Sequence, residues 1–314
     1  MTTLRRLGSS DLQVFPLALG GNVFGWTADE AQSFAVLDAY AAAGGNFIDT
    51  ADAYSAWVPG NEGGESETVI GKWLAARSNR SDIVVATKVG AHPAYKGLSA
   101  TTIKAAAEQS LRRLGTDHID LYYTHFDDET VPVEEIITAL DRLVKDGKVR
   151  AIAASNISPE RLQASLDFSE REGLARYVVL QPHYNLVSRD TYEGELQDTA
   201  ARAGLAAVPY FALASGFLTG KYRPGTSVES ARAEKAGGYL ESERGRKVLA
   251  ALDKVAQERD AEIATVALAW LAARPTVAAP IASARTVEQL PALVAVAGLR
   301  LTEQELAELT EASA

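Results

Sequence analysis

Short β-forming runs alternate with amphipathic helical stretches along the whole chain of 314 residues. Strands that alternate with helices pair in parallel, so eight such units with no break in composition predict one closed (β/α)8, or TIM, barrel spanning residues 1–314. An eighth helical stretch follows the last strand, near residues 287–296. The predicted strands are Val14–Gly20, Asn46–Asp49, Ile83–Lys88, Ile119–Tyr123, Val149–Ala154, Val178–Gln181, Leu205–Pro209 and Val277–Ala282.

The helical stretches show N-terminal capping residues and apolar faces. Apolar residues at three- and four-residue spacing in Pro132–Lys145 predict a helix with a single buried stripe. Ser158 is the predicted N-cap of the helix that follows it. Thr302 and Glu305 form a capping-box pattern that predicts an extra C-terminal helix. The Gly-containing stretch Gly220–Gly245 lies outside the alternation and is predicted to be a long functional loop after the seventh strand.

Charge and composition narrow the possible partners. The formal net charge of −10 argues against nucleic acid, because phosphate binding needs a basic face. The chain has no cysteine, so disulfides, thiolate nucleophiles and cysteine-ligated metals are excluded. No apolar run approaches the roughly 20 residues of a membrane span, and the N-terminus carries no signal-peptide apolar core. We therefore expect a cytoplasmic protein whose partners include neither nucleic acid nor membrane.

Side chains that can take part in acid–base chemistry lie at or just after the ends of the predicted strands. Asp49 ends the second strand, Tyr54 lies in the loop behind it, Lys88 ends the third strand and His125 follows the fourth. Each has an ordinary alternative as a turn cap, a rim charge or a structural histidine. Active sites of such barrels lie at the carboxyl ends of the strands, so the four groups are predicted to meet at one mouth. A buried lysine there needs a counter-charge, for which Asp49 is the candidate.

This set of groups suits the reduction of a carbonyl. A tyrosine phenol has an unperturbed pKa of about 10, and a nearby ammonium favours its ionised form. Tyr54 beside Lys88 is therefore expected to act as the general acid that protonates the alkoxide formed when a carbonyl accepts hydride. A neutral His125 is expected to hydrogen-bond and orient the carbonyl oxygen. None of these residues supplies a hydride, so a cofactor is required.

Six sequence segments, in order, resemble those of the aldo-keto reductases, and the similarity runs from Leu7 to the EQL segment at Glu288. The resemblance implies a (β/α)8 barrel that reduces small-molecule aldehydes or ketones to alcohols with NADPH. The matching segments are FIDTADAY from Phe47, TKVG from Thr87, the histidine after DLYYT, GKVRAIAASNISPERL from Gly147, QPHYNL from Gln181 and FLTGKYRPG from Phe217.

The resemblance also implies the roles of individual residues. Its catalytic set corresponds to Asp49, Tyr54, Lys88 and His125. The implied contacts of the nicotinamide end of NADP(H) are Asn22, Val23, Asp49, Ser155, Asn156, Gln181 and the stacking ring of Tyr210. The implied contacts of the remainder are Phe211, Ala212, Leu213, Gly216, Lys221, Arg232, Ser283, Arg285 and Gln289. Of these, Arg285 is implied to meet the adenosine 2′-phosphate, which suits the bidentate fork of a guanidinium.

The adenine end departs from the family pattern. Ala292 and Leu293 stand where relatives often carry Glu and Asn to hold the adenine, and Phe211-Ala212 replaces a Ser-Pro pair. These departures leave open the contacts of the adenine end and the strength of the preference for NADPH over NADH. No GxGxxG pattern follows the first strand, which disfavours a Rossmann dehydrogenase.

Two other functions compete with the reductase. A regulatory subunit that binds nicotinamide nucleotide with little turnover is the alternative, and retention of His125 beside the other three groups favours the enzyme. A metal-dependent hydrolase would need several converging ligands, yet the chain has four histidines, and neither His92 nor His118 is placed as a ligand.

The remaining large side chains have simpler expectations. Trp26 and Trp57 fall in loops at the mouth and are predicted to wall an apolar pocket. Trp73 and Trp270 fall in helices and are predicted to be core residues. For His183, near the sixth strand end, pocket lining and packing are both open.

Overall fold

A curved parallel sheet forms the centre of the structure, a computed structural model that describes residues 3–225, 228 and 233–314. Buried apolar runs build its strands, as the sequence pattern predicts. The strands of the described residues are β1 (Arg5–Arg6), β2 (Gln13–Val14), β3 (Ala18–Gly20), β4 (Phe47–Asp49), β5 (Val84–Val89), β6 (Ala91–His92), β7 (Tyr95–Lys96), β8 (Ile119–Thr124), β9 (Val149–Ser155), β10 (Tyr177–Gln181), β11 (Ala206–Ala207) and β12 (Ile281–Ala282).

Eight of these strands close into a barrel. Their order in the sheet is β11-β10-β9-β8-β5-β4-β3-β12, and every neighbouring pair is parallel. The sheet closes where Ala207 of β11 bridges Val277, in the segment before β12, and where the Ile281 N–H of β12 donates to the Pro209 carbonyl at 2.9 Å. The predicted (β/α)8 architecture is therefore confirmed.

Helices surround the sheet and follow the barrel strands in turn. Trp73 and Trp270 are only 1% and 0% exposed, which confirms both as core residues. The helices are α1 (Glu30–Ala42), α2 (Glu65–Arg77), α3 (Ala100–Leu114), α4 (Val133–Lys145), α5 (Pro159–Glu172), α6 (Glu195–Arg202), α7 (Ala233–Glu241), α8 (Glu243–Arg259), α9 (Ile263–Ala272), α10 (Leu290–Val294) and α11 (Glu303–Ala312).

The predicted helix starts are confirmed by their caps. The Ser158 side chain accepts a hydrogen bond from the Arg161 N–H at the start of α5. At α11, the Thr302 side chain accepts from the Glu305 N–H while the Glu305 side chain accepts from the Thr302 N–H, a complete capping box. Within the described residues, no helix is both long and apolar enough to cross a membrane.

The predicted first strand, Val14–Gly20, is in fact two strands. β2 pairs antiparallel with β1 in a hairpin, and β3 enters the barrel three residues later. Pro16 lies between them and has no N–H to donate to a sheet, so the ladder is interrupted there. The Arg5 guanidinium then fastens the hairpin to the carbonyls of Ala272 and Val277 at 2.8 and 3.1 Å.

The stretch Gly220–Gly245 is also more structured than the predicted long loop. Its second half forms α7 and the first turn of α8. Two adjacent glycines, Gly237 and Gly238, lie inside α7 and disguise it in the sequence, because glycine is a poor helix former. An ion pair between Arg223 and Asp253, 2.6 Å apart, holds Arg223 against α8.

Candidate active site

One cavity of about 1020 Å³ opens at the carboxyl ends of the barrel strands. This volume suits a dinucleotide with a small partner. Its lining includes almost every residue that the sequence predicted for the site: Asn22, Val23, Asp49, Tyr54, His125, Ser155, Asn156, Gln181, Tyr210, Phe211, Ala212, Leu213, Gly216, Lys221, Ser283, Arg285 and Gln289. Lys88 lies beneath the floor, and Arg232 lies outside the described residues.

A chain of three polar groups runs from the barrel interior to the cavity. The Lys88 ammonium lies 2.7 Å from Asp49 Oδ2, 2.8 Å from the Thr50 carbonyl and 2.9 Å from the Tyr54 hydroxyl. Lys88 and Asp49 are 0% and 1% exposed, whereas Tyr54 lines the cavity. The ammonium therefore sits between a carboxylate that neutralises it and a phenol that faces the substrate space.

Burial and pairing act on Lys88 in opposite directions. Burial lowers the pKa of Lys88, while the Asp49 carboxylate raises it. Asp49 is itself anchored, because its second oxygen accepts a hydrogen bond from Gln181 Nε2 at 2.8 Å. The strand ends of β4, β5 and β10 thus hold one buried ion pair in a fixed orientation.

His125 completes the group on the other side of Tyr54. The two ring centroids are 6.1 Å apart and nearly perpendicular. Burial, with a smaller contribution from Lys88, lowers the pKa of His125 to about 3, so the imidazole is neutral at ordinary pH. A neutral ring in this position can donate or accept a hydrogen bond at a carbonyl oxygen without carrying charge.

A second hydrogen-bonded layer lies beside these groups. Ser155 Oγ donates to the Gln181 carbonyl, Asn156 Nδ2 donates to the His125 carbonyl, and the Tyr210 hydroxyl donates to Asn156 Oδ1, each at 2.8 Å. Asn156 has a φ of 48°, in the left-handed region that few side chains adopt. The layer locks Tyr210 so that its ring forms part of the cavity wall.

The part of the cavity wall formed by Lys221, Arg285 and Gln289, called the far end below, is built differently from the part around Tyr54. Lys221 and Arg285 contribute cations to its lining, and Gln289 accepts a hydrogen bond from the backbone N–H of Arg285 at 2.8 Å. Ser283 Oγ donates to Asn22 Oδ1 at 2.7 Å. Ala292 and Leu293 line the cavity where the family pattern has polar groups, so apolar surface replaces hydrogen-bonding capacity there.

The donor set fits a nicotinamide dinucleotide. A planar aromatic ring, Tyr210, and amide side chains lie beside the neutral imidazole, where an aromatic amide is accommodated by stacking and hydrogen bonds. Two cations lie towards the opposite end, where phosphates are accommodated. A Cβ at Gly20 would lie 2.5 Å from Ser283 Oγ, so glycine avoids a steric clash in this part of the cavity wall.

Aromatic side chains rim the opening next to Tyr54. The Trp26 and Trp57 rings meet edge to face with centroids 5.5 Å apart, and Trp57 lies 6.2 Å from Tyr54. Phe126, which stacks on His125 at 4.8 Å, was missed in the sequence. Its position directly after the candidate histidine was the available signal. Trp57 and Phe126 are 51% and 52% exposed, unusual for such large apolar groups unless a ligand covers them.

Of two further residues, Glu262 was missed in the sequence, and His183 was left open between pocket lining and packing. Glu262, an exposed carboxylate at the start of α9, lines the far end of the cavity and had no motif to reveal it. His183 lies behind the wall, where its ring stacks on Tyr210 with centroids 5.4 Å apart. Packing against the wall is therefore the role its position supports. The described residues contain no group of three or more metal-ligating side chains.

Fold and site together define an oxidoreductase of the (β/α)8 class. The chain belongs to the aldo/keto reductase family, whose pattern it matches over residues 16–314. It is 30% identical to norsolorinic acid reductase of Aspergillus flavus, over 97% of this chain and 79% of that protein. It is 32% identical to aryl-alcohol dehydrogenase [NADP(+)] of Phanerodontia chrysosporium, over 94% and 81%. It is 35% identical to the oxidoreductase YrpG of Bacillus subtilis, over 97% and 94%.

Proposed function

We propose that this protein reduces aldehydes or ketones to alcohols with NADPH as the hydride donor and Tyr54 as the general acid. The observation that carries the proposal is the buried Asp49–Lys88 ion pair, whose ammonium lies 2.9 Å from a phenol that faces the cavity. A structural ion pair needs no such exposed third group. A proton donor at a reducing site does.

Each catalytic residue has a defined task in this proposal. The cofactor supplies hydride to the carbonyl carbon. Tyr54 gives its proton to the carbonyl oxygen, and Lys88 stabilises the phenolate that this leaves behind. The neutral His125 orients the carbonyl oxygen by a hydrogen bond. Asp49 keeps Lys88 charged in a site where an unpaired ammonium is very costly.

NADP(H) is proposed to lie across the barrel mouth. Its nicotinamide would stack on Tyr210 near Asn156 and Gln181, and its 2′-phosphate would meet Arg285. Support comes from the amides and cations that line the cavity and from the cofactor in the name of the aryl-alcohol dehydrogenase [NADP(+)] relative. Phosphate recognition by a guanidinium is favourable because both hydrogen bonds are charge-assisted.

The proposed substrates are aromatic carbonyl compounds of modest size. Trp26, Trp57 and Phe126 offer ring faces and edges next to Tyr54, and aromatic pairs contribute about 0.5–1.5 kcal/mol beyond simple burial. One relative, of Phanerodontia chrysosporium, is named for its action on aryl alcohols. A flat aryl aldehyde would therefore be bound more tightly than an aliphatic aldehyde of equal size.

The test is turnover of the purified protein with NADPH. A panel of benzaldehydes, matched aliphatic aldehydes and simple ketones is followed by loss of the reduced nicotinamide absorbance. We expect turnover with a higher kcat/KM for the aryl members. Tight cofactor binding with no oxidation of NADPH by any carbonyl would refute the reductase, and a nucleotide-binding regulatory subunit would become the better description.

A further inference from the structure

A second carboxyl group lies buried next to the catalytic ion pair. Asp52 follows β4 by three residues and is 0% exposed. Its backbone N–H points to the Lys88 carbonyl at 3.4 Å, so it lies against the strand that carries the catalytic lysine. Neither carboxylate oxygen has a hydrogen-bond partner among the described residues, and the adjacent Ala53 N–H offers only a contact outside ordinary hydrogen-bond geometry.

The charges around Asp52 are already paired without it. Lys88 is 2.7 Å from Asp49, and Arg113 on α3 is 2.6 Å from Glu67 on α2. Glu67 is fully buried, and its other oxygen accepts a hydrogen bond from Thr87 at 2.5 Å. The buried Lys88 ammonium and the part-buried Arg113 guanidinium are thus matched by two buried carboxylates. Asp52 is the surplus acid, and an unpaired carboxylate in such a place is strongly disfavoured.

The other titratable neighbours supply no compensating charge. His92 on β6 is buried, and burial first and Arg113 second lower its pKa against smaller opposing effects of Glu67 and Glu65, so its ring is neutral. Burial, followed by the carboxylates of Asp52 and Glu67, raises the pKa of Tyr122 on β8 well above its usual value, so that phenol stays un-ionised.

These surroundings change the pKa of Asp52. Burial first, and the Glu67 carboxylate second, raise the pKa of Asp52 to about 8, against the smaller opposing effects of Arg113 and Lys88. An ionised Asp52 would in turn add to the carboxylates that hold the proton on Lys88. The two groups are therefore linked, and the link leads through Lys88 to the phenol of Tyr54.

We propose that Asp52 is a positioning residue that remains an uncharged acid while the enzyme works and so keeps Lys88 an effective activator of Tyr54. When Asp52 ionises, its negative charge offsets part of the Lys88 charge, and Tyr54 becomes a weaker acid. This inference rests on the proposed function for its meaning, but its two tests require neither substrate nor turnover.

The first test is the stability of Asp52→Asn, an uncharged isostere. The folded pKa of Asp52 is raised, so its contribution to stability is full below the unfolded pKa of about 4 and is lost as pH rises towards 8. The folded-to-unfolded ratio of the variant, divided by that of the parent, should therefore increase about tenfold for each pH unit across this window. Urea unfolding at several pH values measures it.

Asp141→Asn is the matched control. Asp141 on α4 is also buried, but it is 2.7 Å from Lys145 and accepts a hydrogen bond from the Ala175 N–H at 2.9 Å. Although burial opposes them, these contacts lower the pKa of Asp141, so its variant should be less stable than the parent above pH 4. An Asp52→Asn variant that is also less stable than the parent at pH 7 would overturn the proposal.

The second test follows the phenol of Tyr54 directly. Ultraviolet titration of tyrosinate, taken as the difference from the matching Tyr54→Phe protein, isolates this one group. In the Asp52→Asn background the phenol should ionise at lower pH than in the parent, since no Asp52 charge opposes Lys88 there. Coincident titrations would overturn the link to Tyr54. Absence of carbonyl turnover would instead refute the proposed function and leave both results standing.

Discussion

The two ends of the active-site cavity are built on different physical principles. Near Tyr54, buried and part-buried side chains fix one another through hydrogen bonds of 2.7–2.9 Å, and they lie at strand ends or in the loops that follow them. At the far end, Arg285 lies in a loop and is partly exposed. Its backbone N–H donates to Gln289, but its guanidinium has no partner within the described part of the chain. The chemistry is therefore preorganised, whereas recognition of the adenine end depends on a few separate, solvent-accessible contacts.

The largest effect should follow from disrupting the preorganised end. Lys88→Met leaves Asp49 as an uncompensated buried charge, which costs about 3–5 kcal/mol in stability. It also removes the group that favours the phenolate, so turnover should fall by about 10²–10⁴. Unfolding and kcat measurements test this against Lys72→Met, whose ammonium is exposed on α2 and should cost under about 0.5 kcal/mol. Equal losses in both variants would show that the buried Asp49–Lys88 pair is no more critical than an exposed surface ion pair.

The next effect concerns the exposed cation at the far end. Arg285→Ala should weaken NADPH by about 10- to 100-fold, the value of a charge-assisted contact of about 1.5–3 kcal/mol, and NADH far less. Fluorescence titration with both cofactors measures it, with Arg300→Ala as the control because Arg300 does not line the cavity. Equal losses for NADPH and NADH would remove Arg285 from the 2′-phosphate site.

The smallest effect should come from adding a contact rather than removing one. Ala292→Glu places a carboxylate where the family resemblance implies a contact with the adenine, and one hydrogen bond is worth about 0.5–1.5 kcal/mol. Affinity for both cofactors should rise about two- to tenfold, with no change in the single-turnover rate. Leu293 is unsuitable for the same experiment, because it is 4% exposed and belongs to the core. A fall in affinity would show that this end is not limited by its missing polar groups.

This contrast also explains how much the sequence could predict. Asp49, Lys88 and His125 were found because alternating patterns locate strand ends, and parallel strands bring those ends together. Phe126, Glu262 and the burial of Asp52 depend on how loops fold over the barrel, which no local pattern encodes. Helix α7 was missed because its paired glycines resemble a loop. The residues at strand ends were thus predictable from periodicity, and those that depend on loop conformation were not.

The central claim is that Tyr54 donates the proton while other residues hold the cofactor. Single-turnover oxidation of bound NADPH by a benzaldehyde, measured for the parent and for Tyr54→Phe alongside cofactor titration, tests it most directly. We expect NADPH oxidation in Tyr54→Phe to be slower by about 10²–10⁴, with a cofactor affinity close to that of the parent. A near-parental rate in Tyr54→Phe would contradict it.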